Sequence, residues 1–193
     1  MMKIPYIPED APFNGDQRAW LAGFLAGLHS RAAIGLETSV AAAAPKTAAS
    51  VLNILVGTQT GNAEALAMDI AAVARTQGMQ PVVTALDDVS MDSLGSMKRV
   101  IVVTSTYGEG EMPDSAALFW EAISAGTAPR LEGLQFAVLA LGDSGYDGFC
   151  QAGKLIDTRF EQLGGKRMKT RIDCDIDFED AAAAWIGETL PLA

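Results

Sequence analysis

The chain is poor in the residues that would declare several common functions. Its 193 residues include two cysteines, Cys150 and Cys174, and one histidine, His29. Two cysteines make no disulfide framework, which fits a protein of the reducing cytoplasm. One histidine makes no metal site, and His29 reads as a surface residue at the end of a short helix. Basic residues are scarce as well: 14 Lys and Arg against 24 Asp and Glu leave a net charge of −10. That balance argues against nucleic acid, whose phosphates need clustered cations, and suits a soluble protein that meets basic surfaces. No apolar run approaches the ~20 residues of a membrane-spanning helix, so no membrane partner is expected. Residues 1–15 carry three prolines and lack the basic-then-apolar pattern of a secretory signal.

What is present is a core. Hydrophobic residues make up 49% of the chain, enough for one domain with appendages. In residues 17–28, Trp20, Leu21, Phe24, Leu25 and Leu28 fall at spacings of one, three and four, predicting a short amphipathic helix. It is either a lid on the parent domain or a docking element. Residues 1–39 are thus an N-terminal helical extension, and the alanine-rich stretch 40–50 is a linker. From residue 51 to 193 strands and helices alternate. Strands are expected at 51–56, 81–86, 99–104, 136–141 and 167–172. Apolar positions at helical spacing fill the gaps, beginning with Ala63, Leu66, Ala67, Ile70 and Ala74 and stopped by Gly78. Three more helices are centred on Leu118–Ile123, Leu155–Leu163 and Phe178–Ile186. Strands one, three and four are nearly continuous apolar runs, as expected when both faces are buried. Strand two carries Pro81 and strand five mixes charge with apolar residues, features of sheet edges. The expected fold is a doubly wound α/β sheet of five parallel strands in the order 2-1-3-4-5. That is the flavodoxin-like arrangement, with its ligand crevice between strands one and three.

Three loops leave the carboxyl ends of the central strands. The first, Gly57-Thr58-Gln59-Thr60-Gly61-Asn62-Ala63, opens a helix N-terminus, where free N–H groups and the helix dipole attract phosphate. It lacks the lysine of a nucleoside triphosphate loop, so it suits a phosphate that is anchored and never transferred; an ordinary capped turn is the alternative. The second, residues 104–114, sets the aromatic face of Tyr107 beside Gly108 and Gly110. A peptide at Gly108 flips without steric cost, and its carbonyl would accept the N–H that a reduced isoalloxazine gains. A solvated acidic turn is the alternative there. The third, residues 141–150, carries Tyr146, placed to sandwich a flavin against Tyr107, or else to pack in the core.

The segments VGTQTGNAEALA, VVTSTYGEGEMPD and LALGDSGYDGFCQAGKLID resemble the FMN-binding loops of the diflavin reductase family. Within it, IPEDAPFNGDQRAWLAGFLAGL, FCQAGK and RIDCDIDFEDAAAAWIGETL are similar to the flavoprotein (alpha) subunits of assimilatory NADPH–sulfite reductase, over nearly the whole chain. The resemblance implies one FMN, with Thr58, Gln59, Thr60, Gly61, Asn62 and Ala63 at the phosphate. Tyr107 and Gly108 would line one side of the ring, with Thr106 and Gly110 adjacent. Leu141, Gly142, Asp143, Tyr146, Phe149 and Cys150 would line the other, and Asp175 would stand at the rim. It also implies the work: an oxidoreductase component taking electrons from an FAD/NADPH reductase module and passing them singly to a metal-containing acceptor, the sulfite reductase hemoprotein. No catalytic acid, base or nucleophile is required. Family members carry Ser or Thr where this chain has Gly145, so a looser third loop is expected. They also continue into the reductase module, so this chain is either a piece of a longer protein or a separate module.

Two features stay open at this level. Cys150 is either redox-active beside the flavin or a buried packing thiol. The run Asp173, Asp175, Asp177, Glu179 and Asp180 is either a solvated face favouring the following helix N-terminus or a docking surface for a basic partner. The rival functions are a stand-alone flavodoxin-type carrier and a cofactor-free interaction module on the same fold.

Overall fold

The computed structural model describes residues 50–193. The expected N-terminal helix and all of the expected linker but Ser50 lie outside the described residues. The central strands are β1 (Val51–Gly57), β3 (Arg99–Ser105) and β4 (Gln135–Leu141), with β2 (Gln80–Ala85) on one edge. All pairings are parallel, and the order is β2-β1-β3-β4-β5. Successive side chains of a strand point to opposite faces, and here both faces are covered. Ile54, Val56, Ile101, Val103, Leu139 and Leu141 pack beneath α1 (Asn62–Thr76) and α5 (Glu179–Thr189). Leu55, Val100, Val102, Phe136 and Val138 face the other layer, α2 (Met91–Ser96), α3 (Ala117–Ser124) and α4 (Gln151–Gln162). The short α2 was not expected from the sequence: MDSLGS buries only Leu94 and has no room for a helical period. Among the described residues, no helix is long and apolar enough to cross a membrane.

The expected fifth strand differs in form. Its place beside β4 is shared by two short pieces, β5 (Lys166–Arg167) and β6 (Ile172–Cys174), both parallel to β4. Arg167 sits opposite Phe136 and Ile172 opposite Leu139, so four residues of the outer strand span two of β4. The excess loops out and is held from both sides. Trp185 Nε1 on α5 donates to Thr170 O at 2.9 Å. Asp157 on α4 accepts from both Arg167 and Arg171. The consequence is functional, because the re-registered β6 delivers Cys174 and Asp175 to the top of the sheet.

Gly187 lies exposed inside α5, and a Cβ there would meet nothing within 4 Å. Gly187→Ala is therefore expected to stabilise the domain by about 0.4–1 kcal/mol through lost unfolded-state entropy, read as a higher urea midpoint at unchanged m-value.

Candidate functional site

At the carboxyl ends of β1, β3 and β4 lies a crevice of about 510 Å³. Each of the three loops singled out in the sequence contributes to its wall, Thr60 and Asn62 from the first, Thr106, Tyr107 and Gly108 from the second. The third contributes Leu141, Gly142, Asp143, Tyr146 and Phe149, and Asp175 comes from the segment after β6. The remaining expected residues stand behind this wall. Thr58, Gln59, Gly61 and Ala63 belong to the first loop without lining the crevice, and Ala63 is fully buried under the sheet. Gly110 and Cys150 also lie off it. Ser105, Gly148, Ile176 and Phe178 line it and were not expected. For Ile176 and Phe178 the usable signal was positional, since the segment after the fifth strand also leaves a carboxyl end of the sheet.

The first loop ends at Gly61, the N-cap of α1, and no side chain caps that helix. Its first N–H groups are thus left for an outside acceptor. Thr58 Oγ1 accepts from the Gly61 N–H at 2.9 Å, which leaves the Thr58 hydroxyl proton free to donate. Among the described residues, no lysine or arginine lines the crevice. An anion here would meet the amides and hydroxyls of these loops.

The second loop is a tight hairpin. The Tyr107 N–H donates to Glu111 O at 3.0 Å and the Glu111 N–H to Tyr107 O at 2.8 Å. The turn between them needs positive φ at Gly108 (54°) and Gly110 (136°), which glycine adopts at little cost. At its root, Thr106 Oγ1 accepts from the Ala152 N–H at the start of α4. Tyr107 stands on this hairpin 54% exposed, and Tyr146 on the third loop is 50% exposed. Two half-exposed rings on one crevice offer apolar faces that a planar aromatic ligand would cover.

The third loop is braced despite its glycines. Asp143 Oδ1 accepts from the Gly145 N–H at 2.8 Å, and Asp143 O from the Tyr146 N–H at 3.2 Å. Asp175 Oδ1 accepts from the Ser144 N–H at 3.0 Å and from the Ile176 N–H at 2.9 Å, and the Ser144 hydroxyl also donates to this carboxylate. These bonds hold the Asp175 carboxyl below its ordinary pKa, the Ser144 hydroxyl first among them. At the foot of the loop Cys150 caps α4 with a left-handed backbone (φ 55°). Its thiol is fully buried, near Ala140 O and Cys174 O. Burial, helped by the charge of Asp173, pushes it up to about 12. A thiol buried to this depth and off the crevice is inert, and Cys150 reads as a packing group.

Comparison with known proteins agrees with this geometry. Among curated proteins, the sulfite reductase [NADPH] flavoprotein alpha-component of Bacillus subtilis (strain 168) is 42% identical over 88% of this chain and 29% of its own length. Those of Neisseria meningitidis serogroup B and Shewanella oneidensis are 42% and 36% identical, over 94% and 93% of this chain. The chain thus spans under a third of these relatives, 31% and 30% in the latter two. Among solved structures, a flavodoxin from Streptococcus pneumoniae TIGR4 superposes with TM-score 0.66 at 27% identity, covering 74% of this chain and 96% of that one. A cysteine-to-alanine mutant of the flavodoxin from Pseudomonas aeruginosa gives TM-score 0.65 at 28% identity, covering 74% and 97%. The flavodoxin family itself matches residues 54–185, and with that match over a sheet ordered 2-1-3-4-5 the chain belongs to the flavodoxin family.

Proposed function

We propose that this chain binds one FMN non-covalently in the crevice and relays electrons through it as the FMN domain of a sulfite reductase flavoprotein. FMN is the cofactor of the flavodoxin family, held where the strand order reverses between β1 and β3. One observation carries the reading. An uncapped helix N-terminus and two half-exposed tyrosines open on one crevice whose lining, among the described residues, has no cation. The two ends of that crevice match the two ends of FMN, a phosphate and a planar ring.

In this assignment Thr60, Asn62, the Thr58 hydroxyl and the backbone N–H groups of residues 59, 60, 62 and 63 hold the phosphate. Tyr107 and Tyr146 cover the ring and exclude water from it. The backbone of residues 106–108 and 142–149 supplies donors and acceptors to its polar edge. Bound there, the isoalloxazine supplies the electron transfer, and the protein supplies position and electrostatics. Asp143 and Asp175 lie on the crevice and Glu109 and Glu111 on the adjoining hairpin; their negative charge makes added electrons less favourable. The donor is an FAD/NADPH reductase module and the acceptor the sulfite reductase hemoprotein, as the resemblance implies; the names of the relatives support the NADPH and sulfite reductase parts of that reading.

Titration of the purified chain with FMN tests this. A 1:1 complex is expected, and Thr60→Val should weaken it by about tenfold, the value of one hydrogen bond to a charged group. A colourless protein that takes up no FMN would overturn the reading and leave a cofactor-free interaction module. FMN affinity unchanged in Thr60→Val would remove Thr60 from the phosphate site.

A further inference from the structure

Gln59 and Asp114 lie 55 residues apart in sequence and meet between the first and second loops. Gln59 Nε2 donates to Asp114 Oδ2 at 3.0 Å, and the Asp114 N–H donates back to Gln59 Oε1 at 2.9 Å. Next to them the Thr58 N–H donates to Ser115 Oγ at 2.8 Å, and the Ser115 hydroxyl donates to Thr58 O at 2.9 Å. Two residues of the phosphate loop are therefore each tied, in both directions, to the turn that follows the ring loop. Both polar atoms of the Gln59 side chain take part in this pair, and the side chain does not line the crevice.

We propose that Gln59 and Asp114 are positioning residues: their side chains hold the phosphate loop in its binding shape without touching the phosphate. The inference rests on the FMN reading above. It assigns the Gln59 side-chain amide, which lies off the crevice, to the loop–loop clamp and its backbone N–H to the anion. It also opposes simple electrostatics. Asp114 is a negative charge tied to a loop that binds a dianion, so by Coulomb repulsion alone its removal would tighten FMN. If the carboxylate shapes the loop, removal loosens it.

The test is FMN titration of the full chain, with riboflavin as the ligand that lacks phosphate. Asp114→Ala and Gln59→Ala are each expected to weaken FMN by roughly three- to tenfold, the worth of ordinary hydrogen bonds, and to affect riboflavin less. Gln59→Glu alone sets carboxylate against carboxylate and weakens FMN. Combining it with Asp114→Asn exchanges amide and carboxylate. That double variant keeps both the side-chain bond and an acceptor for the position-114 N–H, and it should restore affinity to within about twofold. Both side chains are near the surface, so apo-protein melting is expected to stay at the wild-type temperature. Failure of the wild type to bind FMN would overturn the cofactor reading itself. Wild-type binding with Asp114→Ala equal or tighter would overturn the clamp, as would a swap that does not restore affinity or a loss of melting temperature that tracks the loss of affinity.

Discussion

Asp157→Ala is expected to cost about 3 kcal/mol of stability, near the lower end of what breaking a buried ion pair costs. The Asp157 side chain is only 7% exposed, while those of Arg167 and Arg171 are 28% and 21% exposed. Arg167 approaches it through Nε at 2.9 Å and Nη2 at 3.0 Å, and Arg171 through Nη1 at 2.8 Å. Each guanidinium has a second carboxylate, Glu161 for Arg167 and Asp173 for Arg171, and both arginines are pushed above their ordinary pKa, in each case chiefly by a carboxylate hydrogen bond. Water reaches the arginines, which places the cost at the low end of the range. The network spans the break between β5 and β6, so its loss releases the four looped residues. Urea unfolding should show a lower midpoint, with the melting temperature down by on the order of 10 °C. A loss below about 1 kcal/mol, the worth of an exposed pair, would mean that the loop is held by Trp185 and not by Asp157.

That break also marks the limit of what the sequence discloses. The central strands were legible because burial on both faces removes the polar alternation, leaving VLNILV, VIVVT and FAVLAL as nearly continuous apolar runs. The order followed from Pro81 on one edge and the mixed charge of KRMKTRI on the other. Nothing in KRMKTRIDC, however, marks where pairing stops and resumes. The register shift is set by partners on α4 and α5, at Asp157 and Trp185, and local pattern carries no information about them. The short α2 was hidden for a different reason: its six residues bury one side chain, too few to repeat. At the site the three loops were legible from their residue types and their place after central strands. Which members face the crevice was not. Gln59 and Thr60 are neighbours of similar polarity, yet one is bound to Asp114 and the other lines the crevice. Cys150 was ambiguous for the same reason, and its burial against Cys174 O decides it.

Gly148→Ala should weaken FMN by about tenfold to a hundredfold, although Gly148 offers the ligand no side chain at all. Gly148 is where the ring hairpin and the third loop touch backbone to backbone. A Cβ at that position would lie 2.6 Å from both Glu109 C and Gly110 Cα, and closer still to Glu109 O. None of these atoms belongs to a flexible side chain, so a whole loop must move. Inserting even one methyl group into packing of this density typically costs about 1–3 kcal/mol. The protein can relieve that strain by parting the two loops, because both are exposed on the crevice side. Parting them separates Tyr107 from Tyr146, so the strain is transferred from folding to FMN binding, where each 1.4 kcal/mol is about tenfold. The variant is therefore expected to fold, to lose little unfolding free energy as apo-protein, and to bind FMN weakly. Gly126→Ala is the matched control, since a Cβ there meets nothing within 4 Å; its FMN affinity should stay at the wild-type value, and its stability at or slightly above it. Fluorescence titration of the two variants side by side decides it. Wild-type FMN affinity in Gly148→Ala would show that the contact between the loops does not set the width of the crevice.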